Sequence, residues 1–372
     1  MFLQRCVPFV LVLGLCMAAQ AQSPEIVVSQ IAPLSDTPVA TVGRLVVLGT
    51  AAAFAEAGRK GGPQVRQVVH DDKFEPSLSL ELARAAVDKD KPAALIIMST
   101  ASNVEVLCAD IPNQAKTPLF TTRTGSPAVR LAGQPYIFHS RAAFEDELGK
   151  LATSLASVGY RNVGVLYQRD AFGESGLAVF KAAAQRAGIR LKGEAGYDRS
   201  LSDVDKAVQE MRQLSPTTVL MVASGAGSAA FAKAYRAAGG SQLVVGISDF
   251  DLRGFASDNP ESVRRGVGAS QVIPNPEAPV LKLAVDYRAA LKAADPASQP
   301  NNASFEGYIV GRVILEGLRS CAQPCTGESL RAALDRLKRI DIGGYTVDLS
   351  KDRRSGTYAD LAIISADGKV LY

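Results

Sequence analysis

Residues 219–230 read VLMVASGAGSAA. Val219–Ala223 has the unbroken apolar character of a buried strand. Gly225–Ala230 fits the pattern G-x-G-x-x-A, and helix-forming residues follow it. The next apolar run, LVVGI, leads to Asp249, about two dozen residues beyond Gly225. Strand, glycine turn, helix, strand and acid in this order come close to a dinucleotide-binding unit. Whether these glycines admit a pyrophosphate or some other group depends on the rest of the chain.

Outward from this stretch, strands and helices alternate almost without a break. EIVVSQIAP, VRQVVHDD, AALIIMS and PLFTT are strand-like, and three helical runs separate them: VGRLVVLGTAAAFAEAG, SLSLELARAAVDKD and SNVEVLCADIPNQA. After QPYIFHSR the pattern restarts with FEDELGKLATSLASVG, NVGVLYQ, GESGLAVFKAAAQRAG, IRLKGEAGY, SDVDKAVQEMRQL and the opening stretch, and it closes on GVGASQVI. Strands this apolar, each followed by a helix, predict parallel sheets covered on both faces. Right-handed crossovers then give doubly wound α/β lobes, and the two rounds predict two of them. Three further helices follow: PVLKLAVDYRAALKAA, SFEGYIVGRVILEGLRS and SLRAALDRLKRI. The tail YTVDLS and ADLAIISADGKVLY is β-rich, with Asp367-Gly368 as a hairpin turn.

The bulk numbers agree with two lobes. The chain has 372 residues, 47% apolar and 21% charged, with a net charge of +4. Its basic residues are dispersed, which argues against a nucleic-acid partner. At the N-terminus Arg5, the apolar run Cys6–Met17 and Ala19-Gln20-Ala21 read as a cleaved secretory signal over residues 1–21. Gly14-Leu15 argues against lipidation at Cys16, and the lone Arg5 against twin-arginine export. The expected product is a soluble, monomeric periplasmic protein. It keeps Cys108, Cys321 and Cys325. The spacing CAQPC predicts a short-loop disulfide between Cys321 and Cys325 in an oxidising compartment. Cys108 reads as a buried free thiol on a helix.

Little in the sequence supports catalysis. No serine or cysteine near the two histidines, His70 and His139, reads as a nucleophile. No Cys/His array offers a metal site, and no P-loop occurs. Asp71 and Asp72 are adjacent on a strand, so their carboxylates diverge and are expected to serve loop hydrogen bonds. No cofactor is expected. Three small-polar loops instead follow strands: Ser99–Asn103, Thr121–Ser126 and Ser224–Ser228. Free N–H groups and helix dipoles at such places can hold an anion, and open α/β sheets bind ligands at these strand ends.

With these parts in order, the chain resembles the periplasmic solute-binding proteins of the leucine/isoleucine/valine-binding type, which serve ABC transporters. The resemblance runs through HDDKFEPSLSLELARAAV (70–87), STASNVEVL, TPLFTTRTGSP, YQRDAFGESGLAVFKAAAQRAG (167–188), GVGASQVIPNP (266–276), SFEGYIVGRVILEGL and IGGYTVDLS. It implies two lobes joined by three hinge crossovers that close on a small ligand, and a membrane permease as partner. The implied division is 22–140 with 272–350 for lobe 1, and 141–271 with 351–372 for lobe 2. Carried across, Ser102, Arg123, Thr124 and Gly125 line the first-lobe site, Phe172 and Ser224 the second-lobe site, and Phe305 an aromatic position near the hinge. The acid that binds a ligand ammonium in the family falls at Ser248, so Asp249 or Asp251 would have to replace it. Arg123 adds a guanidinium where amino-acid binders carry a small residue, which suits a carboxylate ligand. An amino acid or related organic carboxylate is the expected ligand. Two other readings are a ligand sensor that feeds a regulator or receptor, and an exported NAD-dependent oxidoreductase that uses the Gly225–Ala230 loop.

Overall fold

The computed structural model describes residues 25–37, 39–98, 101–108, 111–130, 133–350 and 355–372, with the backbone alone at 101 and 102. The export signal read from residues 1–21 and the side chain of Ser102 lie outside these described residues.

The chain begins as the apolar periodicity predicts. Strands β1 (Ile26–Ala32), β2 (Val65–Asp71), β3 (Ala94–Met98), β4 (Leu119–Thr122) and β5 (Ile137–His139) alternate with helices α1 (Ala40–Arg59), α2 (Pro76–Lys89), α3 (Ala101–Cys108) and α4 (Ile111–Gln114). The strands pair in parallel in the order β5-β4-β3-β1-β2. A second round follows: α5 (Phe144–Ser157), β6 (Asn162–Gln168), α6 (Ala171–Arg186), β7 (Arg190–Tyr197), α7 (Val204–Leu214), β8 (Thr218–Val222), α8 (Gly225–Ala237), β9 (Leu243–Gly246), the short helices α9 (Leu252–Asp258) and α10 (Glu261–Arg264), and β10 (Val267–Gln271). Its parallel order, β10-β9-β8-β6-β7, repeats that of the first round. Each sheet therefore reverses direction at an equivalent place, between β1 and β3 and between β6 and β8. Ligands of such sheets bind beside these reversals, at the strand C-terminal ends.

Helices α11 (Lys282–Ala294), α12 (Asn302–Arg319) and α13 (Gly327–Leu337) return to the first lobe. Strands β11 (Arg339–Asp341), β12 (Thr346–Asp348) and β13 (Ser355–Gly356) extend the first sheet beyond β5. Strands β14 (Asp360–Ile364) and β15 (Val370–Leu371) form an antiparallel edge on the second. The chain thus passes between the sheets at 140–143, 272–281 and 357–359. Two details depart from the sequence reading. Ser355–Gly356 pairs in the first sheet, although a lobe boundary at 350/351 would assign it to the second. Arg339 and Ile340 are strand, although periodicity continued the preceding helix through them. Lys338 has φ 55°, which ends α13, and Gly343 and Gly344 at φ 113° and 86° turn the chain back so that β11 pairs with β12.

Helix α12 is buried on nearly every side, which fixes its place beneath the crossovers. It meets α1 at very short range because both present glycine there. A Cβ on Gly307 would lie 2.1 Å from the Val46 carbonyl oxygen, and one on Gly49 would lie 1.8 Å from that of Ser304. Among the described residues, α1 alone is long and apolar enough to cross a membrane, and half of that stretch is buried in the lobe. Cys321 and Cys325 form a pair with Cα atoms 5.7 Å apart. Cys108 is a free, buried cysteine on α3, and burial pushes its thiol up to about 12.

Candidate functional site

Loops at the strand C-terminal ends of the two sheets meet through charged side chains. The first contribution comes from the loop after β4. Arg123 has φ 65°, a left-handed conformation uncommon for a side chain of its size. Its backbone N–H donates to Glu306 Oε1 at 3.0 Å, which holds that conformation in place. Its guanidinium lies 3.5 Å from Glu306 Oε2 and 3.5 Å from Asp249 Oδ1. Arg123 belongs to the first lobe and Asp249 to the second, so this is a contact between lobes.

The first crossover supplies a second guanidinium. Arg141 Nε and Nη2 donate to Glu306 Oε1 and Oε2 at 3.1 and 2.8 Å, a bidentate pair. Its Nη1 donates to Ser248 Oγ at 3.1 Å and to Asp249 Oδ1 at 3.4 Å. Ser140 Oγ adds a hydrogen bond to Glu306 Oε1 at 2.6 Å. Both Arg141 and Glu306 are buried. Burial alone would raise the Glu306 carboxyl, but Arg141 and Arg123 beside it hold it down at about 2. Burial likewise opposes the charge on Arg141, and Glu306 and Asp249 overcome it and raise its pKa. Arg130 braces this corner by donating to the Arg141 carbonyl at 2.9 Å. His139, one residue before Ser140, is buried on Thr121 Oγ1 at 2.7 Å, and burial followed by nearby Arg130 holds its pKa well below the ordinary histidine value.

The second lobe opens with Glu147 in the first turn of α5. Its Oε1 accepts the Ser248 N–H at 2.6 Å and the Ser270 hydroxyl, while its Oε2 is buried without a partner. Burial raises this carboxyl, and the Ser270 hydroxyl and Arg141 oppose that only in part. The Arg199 guanidinium stands 5.7 Å from the Phe74 ring centroid, a second contact between lobes.

The glycine motif has a packing explanation. Ser224 caps α8 by accepting the Gly227 N–H at 3.2 Å. A Cβ on Gly227 would stand 2.0 Å from the Tyr197 hydroxyl, and one on Gly225 would stand 2.7 Å from the Asp249 carbonyl oxygen. The space over the start of this helix is filled by Tyr197 and the Asp249 loop. The Tyr197 hydroxyl donates to Gln168 Oε1 at 2.9 Å and accepts the Ser224 N–H at 3.3 Å. These glycines let the protein's own groups approach the helix start.

Of the residues read from the sequence, Arg123 and Asp249 are brought together. Thr124 is buried beside Arg123, and Gly125 ties this loop to α5 by accepting the Phe144 N–H at 2.8 Å. Phe172 is half-buried, edge-on to Phe144 at 5.8 Å. Ser224 lies on the second-lobe side. Phe305 lies elsewhere: it is wholly buried, packed on Tyr287 at 4.7 Å in the first-lobe core. Its neighbour Glu306 points instead toward the first crossover, onto Ser140, Arg141 and Arg123, because one residue turns a helix by about 100°. Asp251 is engaged as the cap of α9, accepting the Arg253 and Gly254 N–H groups at 3.2 Å each. Asp71 and Asp72 serve their loops as expected, accepting the Leu34 N–H at 2.8 Å and the Phe74 N–H at 3.0 Å. Sequence reasoning missed Arg141, Glu306 and Glu147. The available signal was a lone Glu in the otherwise apolar run SFEGYIVG, together with an arginine at the predicted crossover QPYIFHSR. Among the described residues, no cluster of three or more His, Cys, Asp or Glu is placed to hold a metal.

A sequence model of periplasmic binding proteins matches residues 25–369. The chain belongs to that family. Its two-lobed fold is the type I form of these proteins. A substrate-binding periplasmic protein from Ralstonia solanacearum superposes with a TM-score of 0.83 at 27% identity, over 93% of this chain and 99% of the other. A possible leucine/isoleucine/valine-binding protein from Rhodopirellula baltica superposes with a TM-score of 0.83 at 25% identity, over 94% and 96%. An ABC transporter substrate-binding protein from Desulfitobacterium hafniense, solved in complex with Leu, shares the fold with a TM-score of 0.78 at 18% identity, over 94% and 99%. No curated protein matches this periplasmic binding protein in sequence.

Proposed function

We propose that this periplasmic binding protein is the substrate-binding component of an ABC importer and captures an amino acid or related small carboxylate between its lobes. The observation that carries this reading is the meeting of Arg123, from the loop after β4 in the first lobe, with Asp249, from the loop after β9 in the second, at strand C-terminal ends of the two sheets. Ligand groups that bridge these faces favour the closed arrangement over an open one, so binding and closure are one equilibrium. The ligand contacts in this reading are Ser102, Arg123, Thr124, Gly125, Phe172, Ser224 and Asp249. The family and the transport roles of its solved relatives support transport. The closed lobes then dock on a membrane permease. Residues 1–21 are removed on export, and the Cys321–Cys325 pair is oxidised in the periplasm.

X-ray scattering on the mature protein, coupled to calorimetry across amino acids and organic acids, tests this. The expected result is a ligand that binds at about micromolar concentration, near −8 kcal/mol, and reduces the radius of gyration. Binding with no change in scattering for any ligand would defeat closure as the mechanism.

A further inference from the structure

We propose, resting on that reading of the cleft, that the ligand is a carboxylate without an amine, because Arg123 already fills the cationic place between the two facing acids. Four charged groups meet where the lobes touch, two guanidiniums and two carboxylates. They balance before any ligand arrives.

Glu306 has no room for another cation. Its Oε1 accepts from Ser140 Oγ, Arg141 Nε and the Arg123 N–H, and its Oε2 accepts from Arg141 Nη2. Asp249 has an oxygen to offer, but Arg141 and Arg123 stand 3.4 and 3.5 Å from its other oxygen. An ammonium placed there would be the third cation on one carboxylate, and like charges at such range repel. Of the other acids around that loop, Glu147 is buried and accepts the Ser248 backbone N–H, and Asp251 is engaged as the cap of α9.

The same geometry favours an anion. The Arg123 guanidinium makes ion pairs at 3.5 Å but donates no hydrogen bond among the described residues, and its side chain keeps 17% exposure. Its N–H fork is held in place with donors to spare, the arrangement that suits bidentate carboxylate recognition. Arg141, with its bidentate pair to Glu306, has no such freedom. Arg123 therefore has two effects: it excludes an amine and it binds the acid. The class is a 2-oxo, 2-hydroxy or unsubstituted carboxylic acid.

The test is calorimetry with matched pairs that differ at the amine: L-leucine with 4-methyl-2-oxopentanoate, L-phenylalanine with 3-phenylpropanoate, and L-glutamate with 2-oxoglutarate. In at least one pair the amine-free acid should bind about tenfold tighter or more. In Arg123→Gly, which suits the left-handed backbone, that preference should shrink or invert; Arg123→Gln serves as a second variant should the first misfold. An amino acid that binds more tightly than its partner overturns this inference and leaves the cleft reading intact. An unchanged preference in both variants overturns the role of Arg123. Absence of binding in every pair, with no change in scattering, overturns the inference and the cleft reading together.

Discussion

Arg141 and Arg123 face the same two carboxylates from different surroundings. At the first crossover, Arg141 is buried and donates to Glu306 through two nitrogens, and Ser140 adds a third donor. In the loop after β4, Arg123 stands 3.5 Å from each acid, keeps some exposure and donates no side-chain hydrogen bond among the described residues. One guanidinium is used up by the fold, and the other is only positioned by it. A buried charge pair with all its hydrogen bonds made is costly to break and has no donors left for a ligand. A positioned but unsaturated guanidinium contributes little to stability and retains its donors. Charge alone therefore does not mark a ligand-binding arginine; the state of its hydrogen bonds does.

The largest expected effect tests the crossover side of this contrast. Arg141→Leu leaves Glu306 buried without its partner and should cost about 3–5 kcal/mol in urea unfolding. Replacing both partners with apolar residues should recover much of that loss, since two fitted apolar groups leave no charge stranded. A cost below about 1 kcal/mol for Arg141→Leu would remove the distinction between the two arginines.

Next in size, Arg123→Gly should weaken carboxylate binding by about 2 kcal/mol, the range of a hydrogen bond to a charged group. Its unfolding free energy should change by less than about 1 kcal/mol, because glycine relieves the left-handed backbone as the ion pairs are lost. A large stability loss with unchanged affinity would reverse the assignment of the two regions.

The smallest effect is the pH response of the crossover. His139 is held neutral by burial, so its folded pKa lies below its unfolded value. Unfolding then takes up a proton, and stability falls as pH drops through the unfolded histidine range. Between pH 7 and pH 6 the loss should stay below about 1 kcal/mol, and His139→Gln should remove it. Glu306, held at about 2, adds a separate loss as pH falls from its unfolded range toward that value. Glu147 has the opposite sign, because its carboxyl is raised by burial. Denaturant titrations at stepped pH check the first window.

Much of the fold was legible because it rests on local periodicity. The apolar strands Ala94–Met98 and Thr218–Val222, each followed by a helix, specify parallel pairing wherever they lie in space. The same reading overran at Arg339–Ile340, where Lys338 and the Gly343-Gly344 turn replaced helix with hairpin. It missed Ser355–Gly356, a strand of two residues too short for any period to register. The site was less legible. The family pattern pointed to Phe305, whereas Glu306, one position along the same helix, reaches Arg123 and Arg141. Which face of a helix points where depends on what packs around it, and here that is the glycine contact between α1 and α12.

The sequence by itself determined two rounds of strand and helix, because hydrophobic period and turn residues act within a few positions of one another. It also supplied Arg123 and Asp249 as separate charges, 126 positions apart. Only the tertiary structure decided that these charges meet, that Arg141 saturates Glu306 while Arg123 does not, and that Tyr197 fills the space over Gly227. Hydrogen-bond saturation and desolvation depend on neighbours distant in the chain, which no local pattern encodes.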